Sequence, residues 1–427
     1  MKTNNHRVVI TGIGLVTSAG TGKEAFWKEL LAGKITVSEI PASFERNSRF
    51  KSRFYVPFPE VNLGDFGFNP KLISLMESSS VAGLAAARLA VEDAGISWDL
   101  ICEAYPVDCR DWVILVGTGI CTLKAGFSAF AANILQDKTD LLKELNLPVH
   151  FNRMAIPMIM PNAITAWISI LAGINGPGFT LNASCASGTY AIGEAFRKLQ
   201  HGDAKMAIAG GVECLKDDSG TIMRGFDCLG ALTQSKTGRP EPFSKGRSGF
   251  LFSEGGACLL VLETLESAIA RGVTPYAEIT GYSSNSDAKN IVQIDESGTQ
   301  IKELILAVSN HQKIDYLNTH GTGTVLNDKV ETRIIQELFG DKNNQPLVNS
   351  TKSILGHTIG ASGAIEAAVT ALSIKNSVVH PNLADDPIEN LNLATETQAC
   401  EIQNAITVSY GFGGHNAALR MTKINSD

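Results

Sequence analysis

The chain has 427 residues, 44% of them apolar, with 36 basic and 43 acidic side chains and a formal net charge of −7. That is enough apolar material for a sizeable core in one large domain or two smaller ones, and charge dispersed along the chain leaves no basic stripe for nucleic acid. Eight cysteines at irregular spacings, with no CxxC pair and no His/Cys cluster at ligand spacing, argue against a disulfide framework or a zinc site. A reducing compartment, the cytoplasm, follows from that usage.

In chain order, Met1 to Gly20 imitates a signal peptide, but Val8-Val-Ile-Thr-Gly-Ile-Gly is short, β-branched and interrupted by glycine. It predicts a first core strand instead. The stretches from Phe44 to Asn69 and from Glu103 to Asp111 read as surface loops. Ser80 to Ala94 reads as an amphipathic-to-buried helix, and Trp112 to Gly117 reads as a strand. Ala155 to Ile174 is apolar over a membrane-spanning length, yet Pro157, Pro161, Asn162 and Thr165 interrupt it. A buried or dimer-facing helix is expected there, and no membrane span.

Next comes Phe179-Thr-Leu-Asn-Ala-Ser-Cys185-Ala-Ser-Gly-Thr-Tyr, where a short β-prone stretch breaks at small residues and passes into an alanine-rich helix. A thiol at such a turn sits at a helix N-terminus, where free N–H groups and the dipole favour the thiolate. An isolated cysteine is more often a small buried hydrophobe, so Cys185 gains weight only from the histidine-bearing segments downstream of it. Met206 to Gly211, Cys258 to Leu262 and Ala277 to Thr280 read as further strands. Strands alternating with helical runs give an α/β protein.

Two more segments carry chemistry. Leu317-Asn-Thr-His320-Gly-Thr-Gly-Thr runs on to Asp328 and Glu331, and Ser350-Thr-Lys352-Ser-Ile-Leu-Gly-His357 leads into Thr-Ile-Gly-Ala-Ser-Gly. One Cys and two His, each in a Gly/Ser/Thr-rich turn beside an apolar run, form a candidate constellation. His6, His150, His201, His311, His380 and His415 are read as structural. Near the end, Gly411-Phe412-Gly-Gly-His-Asn416 is too rich in glycine for a strand interior and predicts a tight turn whose backbone approaches a ligand.

Together these motifs resemble the elongating, Cys-His-His β-ketoacyl-acyl carrier protein synthases, the group of fatty acid chain-elongation enzymes and type II polyketide ketosynthases. The likeness runs from Arg7-Val-Val-Ile-Thr-Gly-Ile-Gly to Ser409-Tyr-Gly-Phe-Gly-Gly-His-Asn416, nearly the whole chain. It implies a thiolase-like fold: two pseudo-symmetric halves in alternating layers of helix and sheet. Residues 1–264 would carry the nucleophile and residues 265–427 both catalytic histidines. No linker separates the halves, so they are expected to share one core.

The resemblance also implies the reaction. Cys185 would hold an acyl group as a thioester, and a malonyl-acyl carrier protein would lose carbon dioxide and condense with it to a β-ketoacyl product. His320 and His357 would contact the malonyl thioester carbonyl, and Lys352 would hold a polar network with Glu366, Asp328 and Glu331. The N–H of Phe412 would complete an oxyanion hole with that of Cys185, its ring gating the pocket. Thr322 and Thr324 would bind the pantetheine arm, or else only stabilise their turn. No cofactor is implied beyond the phosphopantetheine that carries the substrates. Partners are an acyl carrier protein and a second subunit, as a homodimer or as a heterodimer with a chain-length-factor-like protein.

Departures from the family pattern are also visible. Only Lys71 remains of the basic residues common near Asn69 to Ser78, and Gly230 stands where a basic residue commonly helps to dock the carrier. Thr-Gly-Thr after His320 is closer to ketosynthases of secondary metabolism. Two alternatives stay in view. A thiolase needs a second cysteine where this chain has Tyr-Gly-Phe-Gly-Gly, and a non-catalytic partner subunit usually loses the nucleophile. Pocket depth is expected to depend on Thr118 to Thr122 and on a dimer neighbour.

Overall fold

Ten strands carry the architecture: β1 (Val8–Thr17), β2 (Trp112–Gly117), β3 (Gly178–Leu181), β4 (Met206–Cys214), β5 (Gly255–Thr264), β6 (Ala277–Ser286), β7 (Tyr316–Asn318), β8 (Leu347–Asn349), β9 (Asn404–Gly411) and β10 (His415–Thr422). The computed structural model describes residues 5–45, 49–101, 108–121, 123–144 and 147–424. The strands follow one another across the sheet as β8-β7-β9-β10-β6-β1-β5-β4-β2-β3.

That order is a repeat about its middle. From β1 outward the pairings are antiparallel to β5, antiparallel to β4, then parallel to β2 and to β3. From β6 outward the same sequence recurs: antiparallel to β10 and β9, then parallel to β7 and β8. The runs meet where β1 and β6 pair antiparallel over Val8–Ile10. Strands between residues 8 and 264 form one run, and strands between 277 and 422 form the other.

Helices fill the layers. α1 (Ser78–Asp93) covers the outer face of the first run, packed on β1, β5 and β4. The glycines that interrupt β1 permit this approach, since a Cβ on Gly14 would lie 1.9 Å from the carbonyl oxygen of Ala86 on α1. α2 (Ser187–His201), α3 (Val325–Phe339) and α4 (Ser362–Asn376) complete the principal set. α3 and the helix Thr299–Ser309 cover the outer face of the second run. α2 and α4 touch each other and strands of both runs, so they form the middle layer of one shared core. Every residue of α4 from Ser362 to Ile374 is buried, which explains why its sequence is small or apolar all round and shows no polar stripe.

The five strands and the helix expected from the sequence are present. β7 and β8 were not anticipated, because three residues are too few for a pattern, nor were β9 and β10, whose buried Thr407, Ser409 and Asn416 mask the alternation. The segment 44–69 is not a bare loop: Phe54–Tyr55 pairs with Ser38–Glu39, and the Val56 N–H donates to the Phe252 carbonyl at 2.8 Å. Of the expected loop 103–111, residues 103–107 lie outside the described residues. Ala155 to Ile174 forms two helices, Ala155–Ile159 and Ala163–Ala172, broken around Pro161. Among the described residues no helix is long and apolar enough to cross a membrane. Cys109 is disulfide-bonded, which the cysteine spacing did not predict. Cys185, Cys214, Cys228, Cys258 and Cys400 carry free thiols.

Candidate active site

Cys185 lies in a single 3-10 turn, Ser184–Ala186, between β3 and α2. The turn is tight enough that Ser184 takes a left-handed φ of 53°, a conformation that costs energy for a residue with a Cβ and recurs at functional sites. Ser187, the first residue of α2, holds it: its Oγ accepts from the Ala183 N–H at 2.8 Å and donates to the Ser184 carbonyl at 2.6 Å. Cys185 is 4% exposed. Burial pushes its thiol above the ordinary value, while the Ser184 hydroxyl at 3.7 Å, the charge of Lys352 and the N–H of Phe412 pull the other way. The helix end alone therefore does not decide the thiolate, because desolvation is the larger effect.

The second half supplies the rest from two loops. His320 follows β7, and Lys352 and His357 follow β8, all three under 5% exposed. The Lys352 ammonium donates to the His320 carbonyl at 2.8 Å, to Glu366 of α4, and lies 3.4 Å from His320 Nδ1. An ammonium only donates, so Nδ1 is the acceptor and the ring proton of neutral His320 sits on Nε2. His357 Nδ1 accepts the Ile359 N–H at 3.2 Å and lies 3.0 Å from Ser362 Oγ. Its proton is likewise on Nε2. Burial and the nearby Lys352 charge hold both rings well below 6.5, and their centroids stand 5.5 Å apart at 84°. Two neutral imidazole donors thus stand side by side.

Glu366, 1% exposed, is the ion-pair partner of Lys352. Asp328 and Glu331 reach that network through the backbone of the His320 loop rather than through Lys352 itself. Both lie in the first turns of α3, which runs beside the 320–324 loop, and they accept from that loop's backbone. Glu331 accepts from the His320 and Gly321 N–H groups at 3.0 and 2.7 Å, and Asp328 from Phe243 and Gly323 at 2.7 and 3.2 Å. Burial, then the neighbouring Asp328, pushes Glu331 up to about 8.

The turn expected at the tail is the β9–β10 hairpin turn, Phe412-Gly413-Gly414. Asp287 steadies it, its N–H donating to the Gly414 carbonyl at 2.9 Å and its carboxylate accepting from Asn416 at 2.7 Å. Cys185, His320, His357, Phe412, Thr322 and Thr324 all open onto one cavity of about 800 Å³. The Thr322 and Thr324 hydroxyls lie 2.9 Å apart, so they brace their turn and line the cavity at once. Away from the polar cluster the wall is apolar and aromatic: the Phe226 ring packs within 6.4 Å of Phe250, Phe252 and Phe412. Of the expected depth-setting stretch 118–122, Ile120 lines the cavity and Thr122 lies outside the described residues.

Sequence reasoning missed Glu213, a buried carboxylate at the end of β4. Its signal was a charge set in the apolar run Met206-Ala-Ile-Ala-Gly-Gly-Val-Glu213-Cys.

Residues 5–268 match the family model for the β-ketoacyl synthase N-terminal domain, and residues 276–385 match that for its C-terminal domain. The chain belongs to the β-ketoacyl synthase family. It is 34% identical to a 3-oxoacyl-[acyl-carrier-protein] synthase 2 of Staphylococcus aureus, over 99% of each chain. Among solved structures, the ishigamide ketosynthase/chain length factor superposes with a TM-score of 0.83 at 28% identity, over 99% of this chain and 100% of that one. A type II polyketide ketosynthase solved with its acyl-carrier protein and bound to a hexaketide superposes at 0.82 with 25% identity, over 98% and 100%. The neighbours share the thiolase-like fold.

Proposed function

We propose that this β-ketoacyl synthase condenses an acyl thioester with a malonyl-acyl carrier protein in type II fatty acid or polyketide synthesis. The observation that carries the reading is the convergence of one thiol and two neutral imidazole donors on a single cavity. In the first half-reaction Cys185 Sγ attacks the acyl carbonyl, a new C–S bond forms, and the carrier thiol leaves with the proton. A thioester is the fitting intermediate, since sulfur both attacks and leaves well. The N–H groups of Cys185 and Phe412 stabilise the oxyanion.

In the second half-reaction the carbon–carboxylate bond of the malonyl group breaks, carbon dioxide departs, and the electron pair becomes an enolate. The Nε2–H groups of His320 and His357 donate to its oxygen, each such donor being worth roughly 2.7–4 kcal/mol. The enolate carbon then attacks the acyl-Cys185 carbonyl, the C–S bond breaks, and Cys185 leaves as a thiolate that takes up a proton from solvent to regenerate the thiol. Lys352 and Glu366 are positioning residues for His320. Thr322 and Thr324 meet the phosphopantetheine arm that carries the substrates, and no further cofactor takes part.

The partners are an acyl carrier protein and a second subunit. Among the described residues edge strand β3 has one side unpaired and exposes Phe179, and the neighbouring helices expose Phe130, Ile156 and Ile170, an apolar face suited to a second copy or to a chain-length-factor-like subunit. Lys71 is exposed and Gly230 lines the cavity, so carrier docking is weaker, uses basic residues elsewhere or takes a specialised carrier. The reaction is placed in the cytoplasm. Residues 1–264 supply the nucleophile and 265–427 the two histidines.

Intact-protein mass spectrometry with a panel of acyl-carrier thioesters, followed by a malonyl-carrier chase, tests the reading. The wild type should gain one acyl mass and pass it into a β-ketoacyl carrier two carbons longer. No acylation from any carrier, alone or with a candidate partner subunit, refutes it.

A further inference from the structure

Glu213 is fully buried and, among the described residues, has no lysine or arginine within ion-pair distance. Its charge is met by backbone amides instead. The carboxylate accepts from the N–H groups of Gly119 at 2.7 Å, Cys121 at 2.8 Å, Ile120 at 3.2 Å and Gly360 at 3.0 Å, and from Thr118 Oγ1 at 3.2 Å. Burial still pushes it up to about 7, with the Gly119, Gly360, Ile120 and Cys121 N–H groups holding it down.

These donors belong to two separate loops. Residues 118–121 follow β2 and include Ile120, which lines the cavity beside Cys185. Gly360 belongs to the turn before α4, next to Ile359, which lines the same cavity. The contact between the loops is close: a Cβ on Gly360 would lie 2.2 Å from the Gly119 nitrogen, and one on Gly119 would lie 2.7 Å from Ile359 Cγ2. The 118–121 loop is also tied to the thiol's own turn, since Asn182 Nδ2 donates to the Gly119 carbonyl at 2.7 Å and Ser187 Oγ lies 3.1 Å from the Thr118 carbonyl.

Building on the ketosynthase reading, we propose that Glu213 is a positioning residue that sets acyl chain-length preference. It clamps the loop bearing Ile120 against the turn bearing Ile359, and so fixes the wall of the cavity next to Cys185. A carboxylate suits this task because its two oxygens offer about four acceptor sites and no donor. Glutamine at 213 keeps the shape but turns an NH2 group toward backbone N–H donors, which loosens the clamp.

The test is kcat/KM for acyl uptake over a series from acetyl to dodecanoyl carriers, in wild type, Glu213→Gln, Glu213→Asp, Ile120→Ala and the double variant Glu213→Gln/Ile120→Ala. Glu213→Gln should change the ratio between the best and the poorest donor by about tenfold, through KM rather than kcat, with Glu213→Asp closer to wild type. The double variant should match Ile120→Ala alone, because Glu213 acts through that wall. Should Glu213→Gln fail to fold, Thr118→Val removes one donor and carries the same expectation at about threefold. An equal loss at every chain length that follows the melting temperature, or additivity with Ile120→Ala, overturns the inference. A wild type that acylates normally beside a Glu213→Gln of unchanged preference overturns this inference alone, whereas a wild type that takes no acyl group overturns the ketosynthase reading and this inference with it.

Discussion

The turn that presents Cys185 has a counterpart in the other half of the molecule, and the two differ in what they present. Ser184–Ala186 leads into the fifteen residues of α2, and Ile359–Ala361 leads into the fifteen of α4. The residue that bends the chain has φ 53° at Ser184 and 49° at Ile359. The next residue is Cys185 in one turn and Gly360 in the other, and Gly360 donates its N–H to Glu213. A backbone device that offers a nucleophile in the first half thus serves in the second to tie its own turn, through Glu213, to the 118–121 loop. Division of labour here lies in side chains and loops laid on a repeated frame.

The largest way to break the comparison is at the thiol. Cys185→Ala should show no acyl adduct by mass spectrometry while its melting temperature stays near wild type, since a buried Cys acts as a small hydrophobe. Next, Lys352→Ala leaves the carboxylate of Glu366 buried without its partner and should cost about 3–5 kcal/mol in chemical denaturation. Adding Glu366→Gln should recover much of that. His357→Ala removes one donor to the enolate and should slow decarboxylation by about 10²–10³, with a smaller effect on acyl uptake from a carrier.

Gly360→Ala tests the counterpart turn directly. Its Cβ would lie 2.2 Å from the Gly119 nitrogen, and the backbone shift required should cost about 1–3 kcal/mol of stability. The smallest effect concerns pH. His357 is held well below 6.5 by burial and Lys352, so its contribution to folding is present above about 6.5 and lost as pH falls, because the unfolded ring binds the proton first. The melting-temperature advantage of wild type over His357→Gln should shrink on acidification, and the decarboxylation rate should show no inflection at 6.5.

Much of this was legible in the sequence because the chemistry-bearing residues sit in short motifs whose local rules are strong. The β-branched run at Val8, the small residues around Cys185 and the glycines after Phe412 each dictated a strand, a turn into a helix and a hairpin turn. That Asp328 and Glu331 act through the backbone of residues 320–323 was not legible, because spacing along α3 does not say which loop the helix lies beside. Glu213 was missed because its partners are backbone amides from residues 119–121 and 360, and no side-chain pattern records them. The effect of burial on Cys185 is likewise a tertiary property, set by the aromatic wall and the hairpin.

The central claim is that the thiol that takes the acyl group and the two histidines that drive decarboxylation act as separable groups, Cys185 in one run of the chain and His320 and His357 in the other. The most direct test is carbon dioxide release from a malonyl-carrier thioester by Cys185→Ala, with no acyl donor present. Continued release without any condensation product is the result expected. A folded Cys185→Ala that releases none would contradict the account, because the histidines would then depend on the thiol for the step assigned to them.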